Sequence, residues 1–259
     1  MKRKLLCGLL AAASLSISVQ GYRAVPVQVD GARLSGGYLE NGVTYVPLRR
    51  LLTSLGEWDI QWDAGAGEAV AASAGATLTA SPKNNTVTVN GRSLSGQVSL
   101  KDGATYGPLR LVAEALGGSA EWDPYMDGAA VTSAQSPYDA VDLYWLSHVI
   151  YAESGAESMT GQIAVGNVVL NRVKSSEFPN SVAGVVFDRK NGVQFEPVSN
   201  GTIYKTPSAA SVEAAKRAMD GESVVGKALY FFAPKLSQGL WISANRTYLT
   251  TIGCHRFYL

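Results

Sequence analysis

The residues best placed to do chemistry lie in Ile150-Tyr151-Ala152-Glu153-Ser154-Gly155-Ala156-Glu157, followed by Thr160-Gly161-Gln162 and Asn171-Arg172. Glu153 sits where an apolar helix pattern stops at a glycine. A carboxyl group half buried at a helix C-terminus keeps its proton to higher pH than one in water, because desolvation and the negative end of the helix dipole both disfavour its charged form. Such a group can serve as a general acid near neutral pH. The residues alone leave open a plain solvated glutamate at a helix end. Glu157, Asp188 and Glu196 are the candidates for a second carboxylate, which a hydrolytic reaction would need.

The elements that must position Glu153 are readable from capping and periodicity. Ser136 is an N-cap candidate, Pro137 fits the first helical position and Asp139 the third, so a helix is expected to start there. It would carry Val141, Tyr144, Trp145, His148, Val149 and Ala152 on adjoining faces and end near Glu153, with Gly155 as C-cap. A second helix is expected from about Ser158 to Lys174, in which Gly161 and Gly166 would let a neighbouring helix come close. Further on, 191–197 reads as a loop or short hairpin, 207–220 as an alanine-rich helix, and 228–232 and 252–258 as strands.

Upstream, the chain repeats itself. Val27-Gln28-Val29-Asp30-Gly31 recurs as Val87-Thr88-Val89-Asn90-Gly91, and Asn41-Gly42 with Pro47-Leu48-Arg49 recurs as Asp102-Gly103 with Pro108-Leu109-Arg110. Ser54-Leu55-Gly56 and Trp62-Asp63 are echoed by Ala115-Leu116-Gly117 and Trp122-Asp123. Each copy offers alternating β-branched residues, an Asn-Gly or Asp-Gly turn, a proline-started helix and a Trp-Asp strand. Two such units would make a compact α+β domain. Between them, 65–80 reads as a loop with a short strand. The pattern resembles the copper amine oxidase N-terminal-like domain. That name brings no copper chemistry here, since the chain has only His148 and His255. The module is read as a stalk or wall-attachment unit, with Tyr45, Trp62, Tyr106 and Trp122 as core residues that could alternatively stack on sugars.

The remaining composition sets the compartment. Met1-Lys2-Arg3-Lys4 followed by an apolar run to about Leu15 reads as a secretory leader, too short to span a bilayer comfortably. Cys254 is the cysteine outside that leader, so no internal disulfide is expected, and it is read as a small buried hydrophobe. A net charge of +1 gives no basic surplus for nucleic acid. No cofactor or metal is called for. The expected division is 1–24 leader, 25–132 repeat domain, 133–137 linker and 138–259 second domain.

The order Tyr-Ala-Glu, Gly-Gln, Val-Leu-Asn-Arg-Val, Phe-Pro-Asn, Gln-Phe, Ala-Leu-Tyr-Phe and Ile-Gly-x-His-x-Phe, from Tyr151 to Phe257, resembles the spore cortex-lytic and cell wall hydrolase family of SleB type. The resemblance implies a mainly helical, lysozyme-like domain and cleavage of peptidoglycan glycan strands, in many members as lytic transglycosylases. It implies that Glu153 is the catalytic acid. Substrate-side roles are then expected for Glu157, Gln162, Asn171, Gln194, Phe195, Tyr230 and Trp241, with Glu157 more readily bonding turn backbone and Arg172 forming a structural ion pair. The chain departs from the family in Ser154-Gly155-Ala156 and Thr160. The implied setting is germination or sporulation, at the cell wall or spore cortex. The other open reading is a non-catalytic peptidoglycan-binding or morphogenetic envelope protein.

Overall fold

The computed structural model describes residues 21–190, 192–236 and 239–259. Most of the expected leader, residues 1–20, lies outside the described residues. The mixed α+β class holds: a β-rich first domain carrying two short helices precedes a mainly helical one.

Both repeats are built alike. The first has strands Val27–Val29, Ala32–Leu34, Tyr38–Glu40 and Val43–Pro47, helix α1 (Leu48–Ser54), and strands Asp59–Asp63 and Glu68–Ala72. The second has Thr86–Val89, Arg92–Ser95, Ser99–Lys101 and Ala104–Pro108, helix α2 (Leu109–Ala115), and Ser119–Asp123 and Gly128–Thr132. At Asp30-Gly31, Asn41-Gly42, Asn90-Gly91 and Asp102-Gly103 both residues take positive φ, the conformation a tight hairpin needs. The repeats interlock across the pair Val46↔Gly107, flanked by Tyr45↔Pro108 and Tyr106↔Pro47. The last strand, Gly128–Thr132, returns to lie parallel to Val27–Val29.

Two expectations need correction in this domain. The stretch 65–80 is more regular than foreseen, since Thr77–Ser81 pairs with Glu68–Ala72 on one side and Thr86–Val89 on the other. Trp62 and Trp122 are 45% and 38% exposed and are not core, whereas Tyr45 is buried. Strand Arg23–Ala24 pairs with Tyr38–Glu40 and extends that sheet ahead of Val25.

The second domain is organised round α3 (Ala140–Ser154), whose residues 143–150 are all buried. A helix apolar on every side belongs in the centre of a bundle, and α4 (Met159–Val173), α5 (Val182–Val186) and α7 (Ala209–Met219) surround it. Its start is three residues later than expected. Asp139 is the N-cap, accepting from the Asp142 N–H, while the Ser136 hydroxyl bonds Tyr138 instead. Helix α4 starts as expected, with Ser158 as its cap. A Cβ at Gly166 would meet Ile150 of α3 at 2.9 Å and Ala218 of α7 at 3.3 Å, so this glycine sets the spacing of three helices. Gly161 instead makes room for the Glu157 side chain. Helices α6 (Glu196–Asn200) and α8 (Leu240–Asn245) are short, and strands Tyr230–Phe232, Tyr248–Ile252 and His255–Tyr258 form one sheet with the last in the middle.

The two domains share core, so 133–137 is no free linker. In the first repeat Asp63 caps a loop of small residues, accepting from the N–H groups of Gly65 and Ala66. Its counterpart Asp123 accepts from Tyr125 and Met126 and also, at 2.6 Å, from the buried indole N–H of Trp145 on α3. Met126 enters the core of the helical domain, and Tyr125 stacks on Phe187 with ring centroids 4.3 Å apart. The second Trp-Asp motif thus anchors the helix that carries Glu153.

Candidate active site

Glu153 lies in the last turn of α3, which continues to Ser154 with Gly155 as cap in right-handed conformation. Ser154 is buried and its hydroxyl bonds the Ile150 carbonyl, fixing the turn. Burial pushes the Glu153 carboxyl up to about 7; the nearby Glu196 carboxylate adds to the rise and the Arg172 guanidinium opposes it. Desolvation is therefore the main cause, as the sequence suggested, and Glu196 is the second.

Arg172 projects from α4 and is buried. The expected ion pair is not found among the described residues: its Nε donates to the Leu229 carbonyl at 2.8 Å. Its charge faces the rings of Phe178, Phe195 and Tyr230 at 4.9, 5.4 and 5.6 Å from their centroids. Loss of hydration holds the guanidinium down at about 10. Arg172 also lines a cleft of about 660 Å³, together with Asp188, Gln194, Tyr230, Phe231, Trp241 and Arg246.

Of the residues expected on the substrate side, Gln194, Tyr230 and Trp241 reach this cleft. The Gln194 amide also donates to the Gly192 carbonyl. Trp241 is 58% exposed and Tyr230 forms an inner wall. The other four are placed elsewhere. Phe195 is 2% exposed, a core ring that N-caps α6, so it offers no open face for a sugar. Gln162 is buried, donating to the Glu157 carbonyl and accepting from the Ser211 hydroxyl, so it ties the loop after Glu153 to α7. The Asn171 amide donates to the carbonyls of Gly226 and Ala228. The Glu157 carboxylate accepts from the Cys254 N–H, with Gly253 directly beneath it at φ +56°. Glu157 therefore braces the last hairpin. Cys254 is exposed in that turn and is not buried.

Among the candidate second carboxylates, Asp188 borders the cleft but its Oδ1 accepts the Lys190 N–H, and Glu196 is exposed in the first turn of α6. His148 is buried, its Nδ1 2.7 Å from the Tyr144 carbonyl oxygen, and burial depresses its pKa to about 4. His255 is buried against Phe231, and its pKa is likewise lowered by desolvation. Arg246, which the sequence reading missed, stacks on Tyr230 and Trp241 at 4.4 and 5.3 Å. Its only sequence signal is a cation between aromatic positions of two different elements, which periodicity does not join. Among the described residues no cluster of three or more His, Cys, Asp or Glu could hold a metal ion, and no helix is long and apolar enough to cross a membrane.

Glu153 interacts electrostatically with Arg172, which lines the aromatic cleft. Residues 156–258 match the Cell Wall Hydrolase family, and residues 28–131 match the copper amine oxidase N-terminal domain. The second domain belongs to the cell wall hydrolase family. Its match begins three residues after Glu153. The chain is 37% identical over 126 residues to a spore cortex-lytic enzyme of Bacillus cereus, covering 49% of this chain and 47% of that protein. It is 38% identical over 116 residues to the spore cortex-lytic enzyme of Bacillus subtilis, covering 45% and 37%. The chain thus spans about half or less of the length of these relatives. The solved catalytic domain of the germination-specific lytic transglycosylase SleB from Bacillus anthracis is 37% identical and is covered to 98%, against 48% of this chain, with a TM-score of 0.44.

Proposed function

We propose that this protein cuts peptidoglycan glycan strands between N-acetylmuramic acid and N-acetylglucosamine as a lytic transglycosylase, with Glu153 as both acid and base. The observation that carries the reading is a carboxyl raised to about 7 by burial at the end of a central helix, within the field of a cleft-lining arginine. Glu153 gives its proton to the glycosidic oxygen as the bond to the muramic anomeric carbon breaks. The muramic 6-hydroxyl oxygen then bonds that carbon, and its proton returns to the Glu153 carboxylate, leaving a 1,6-anhydro end. The cycle needs one carboxyl group; the Glu196 carboxylate near Glu153 acts in it by raising the acid's pKa.

The named activity of the cortex-lytic relatives supports the same reaction class here. The first domain would hold the enzyme to the envelope, outside the cytoplasm, and its shared core with α3 makes it a brace for the catalytic helix as well. The test is loss of turbidity of purified cortex or wall sacculi with wild type and Glu153→Gln. Abolished clearing by the variant is expected. Equal clearing by the two proteins would contradict the assignment.

A further inference from the structure

Arg172 is 5% exposed, yet among the described residues it forms no ion pair and only its Nε has a hydrogen-bond partner. Nη1 is enclosed without a partner, which leaves Nη2 as the nitrogen open to the cleft. Burying a guanidinium with so few partners is unfavourable, and an apolar side chain of similar volume would fill the same space among Phe178, Phe195 and Tyr230 at lower cost. Packing does not account for it.

Arg246 repeats the arrangement on the other side of Tyr230. Its Nη2 donates to the Tyr230 hydroxyl at 2.6 Å, its Nε is enclosed without a partner, and Nη1 makes no hydrogen bond among the described residues. The Glu177 carboxylate lies 3.9 Å from Nη2 and is itself 60% exposed. The sequence in space is Arg172, Tyr230, Arg246, Trp241, alternating cation and ring along one wall. Each arginine brings unused donors to the same cleft, and each is held by rings that leave it little freedom to lose on binding.

We propose that Arg172 and Arg246 form a carbonyl-reading site that fixes the glycan strand by the amide oxygens branching from its sugars, while Tyr230 and Trp241 cover the rings. The proposal rests on the glycan-cutting reading for its ligand. A neutral pyranose offers hydroxyl and ether oxygens; the stronger acceptors on such a strand are the acetamido carbonyl of every sugar and the lactyl carbonyl of each muramic residue. Guanidinium N–H groups in a water-poor cleft bind such oxygens well. Neither arginine is placed to exchange a proton with the glycosidic bond, so both are positioning residues.

Binding is measured by calorimetry in the Glu153→Gln background, so that nothing is cut, with chitooligosaccharide (acetamido groups only) and with solubilised glycan strands that carry muramic acid. Arg246→Gln, at a partly exposed position, and Arg172→Lys, which keeps the charge but not the fork, are compared after their melting curves are checked. A loss of roughly tenfold or more is expected, the scale of a charge-assisted hydrogen bond. Equal loss on both ligands assigns the acetamido carbonyl, and loss confined to muramic strands assigns the lactyl carbonyl. Unchanged affinity for both in folded Arg246→Gln overturns the proposal, as does failure of the Glu153→Gln protein to bind either ligand. Wild-type clearing of sacculi is read separately: binding losses without any clearing would refute the catalytic reading and leave this site standing.

Discussion

Replacing Glu153 with Gln should stabilise the protein as well as silence it, and only above a definite pH. The carboxyl is raised from an ordinary 4.5 to about 7. Between those values the unfolded chain has released the proton that the folded one still holds, so stability falls as pH rises, at about 1.4 kcal/mol per unit. Across 2.5 units the loss is about 3 kcal/mol, complete above pH 7 and absent below 4.5. Glu153→Gln does not ionise and escapes it. His148 acts in the opposite sense: held down from 6.5 to about 4, it gains stability for the fold as pH rises between those two values. The wild-type profile carries both contributions, and the difference between wild type and variant isolates that of Glu153. Urea melts of both proteins from pH 4 to 9 should show a stability difference that grows by about 3 kcal/mol between pH 4.5 and 7 and then levels, or roughly 6–12 °C in Tm for a chain of this size. A difference independent of pH would refute the buried acid.

Activity should fall as pH rises through about 7, because the first step consumes the proton on Glu153; a pH–rate profile that still climbs beyond 8 would contradict this. Gly253→Ala places a methyl group against the Glu157 carboxylate at a left-handed φ, and a loss of about 1–3 kcal/mol is expected in denaturant melts. Trp145→Phe leaves the buried Asp123 carboxylate short of its 2.6 Å donor. A similar loss of about 1–3 kcal/mol is expected, with both domains melting together in calorimetry and not in two separate transitions. Glu157→Gln should clear sacculi within about threefold of wild type, since its carboxylate holds a turn and not the substrate.

What the sequence made legible follows from where local chemistry decides structure. The Asn-Gly and Asp-Gly turns, the helix start near Ser158 and the glycine after Ser154 fix their elements through contacts within a few residues, and the structure keeps them. Partners distant in sequence were not legible. Asn171 and Arg172 look like neighbours of the acid along α4, but the carbonyls that hold them come from 226–229, more than fifty residues on. Phe195 lies beside Gln194 in the chain, yet one step along an extended segment turns it into the core. The repeated tryptophans suggested core because they repeat, but in each copy the edge position of the strand leaves the indole partly open. The role of Asp123 was hidden because its counterpart Asp63 does only half of the same work.

The most direct test of the central claim is the product. Sacculi digested in ¹⁸O-labelled water and resolved by mass spectrometry should give 1,6-anhydro-muramic ends free of label with wild type, and no cleavage with Glu153→Gln. Reducing muramic ends carrying ¹⁸O would show that water, and not the sugar's own hydroxyl, closes the reaction.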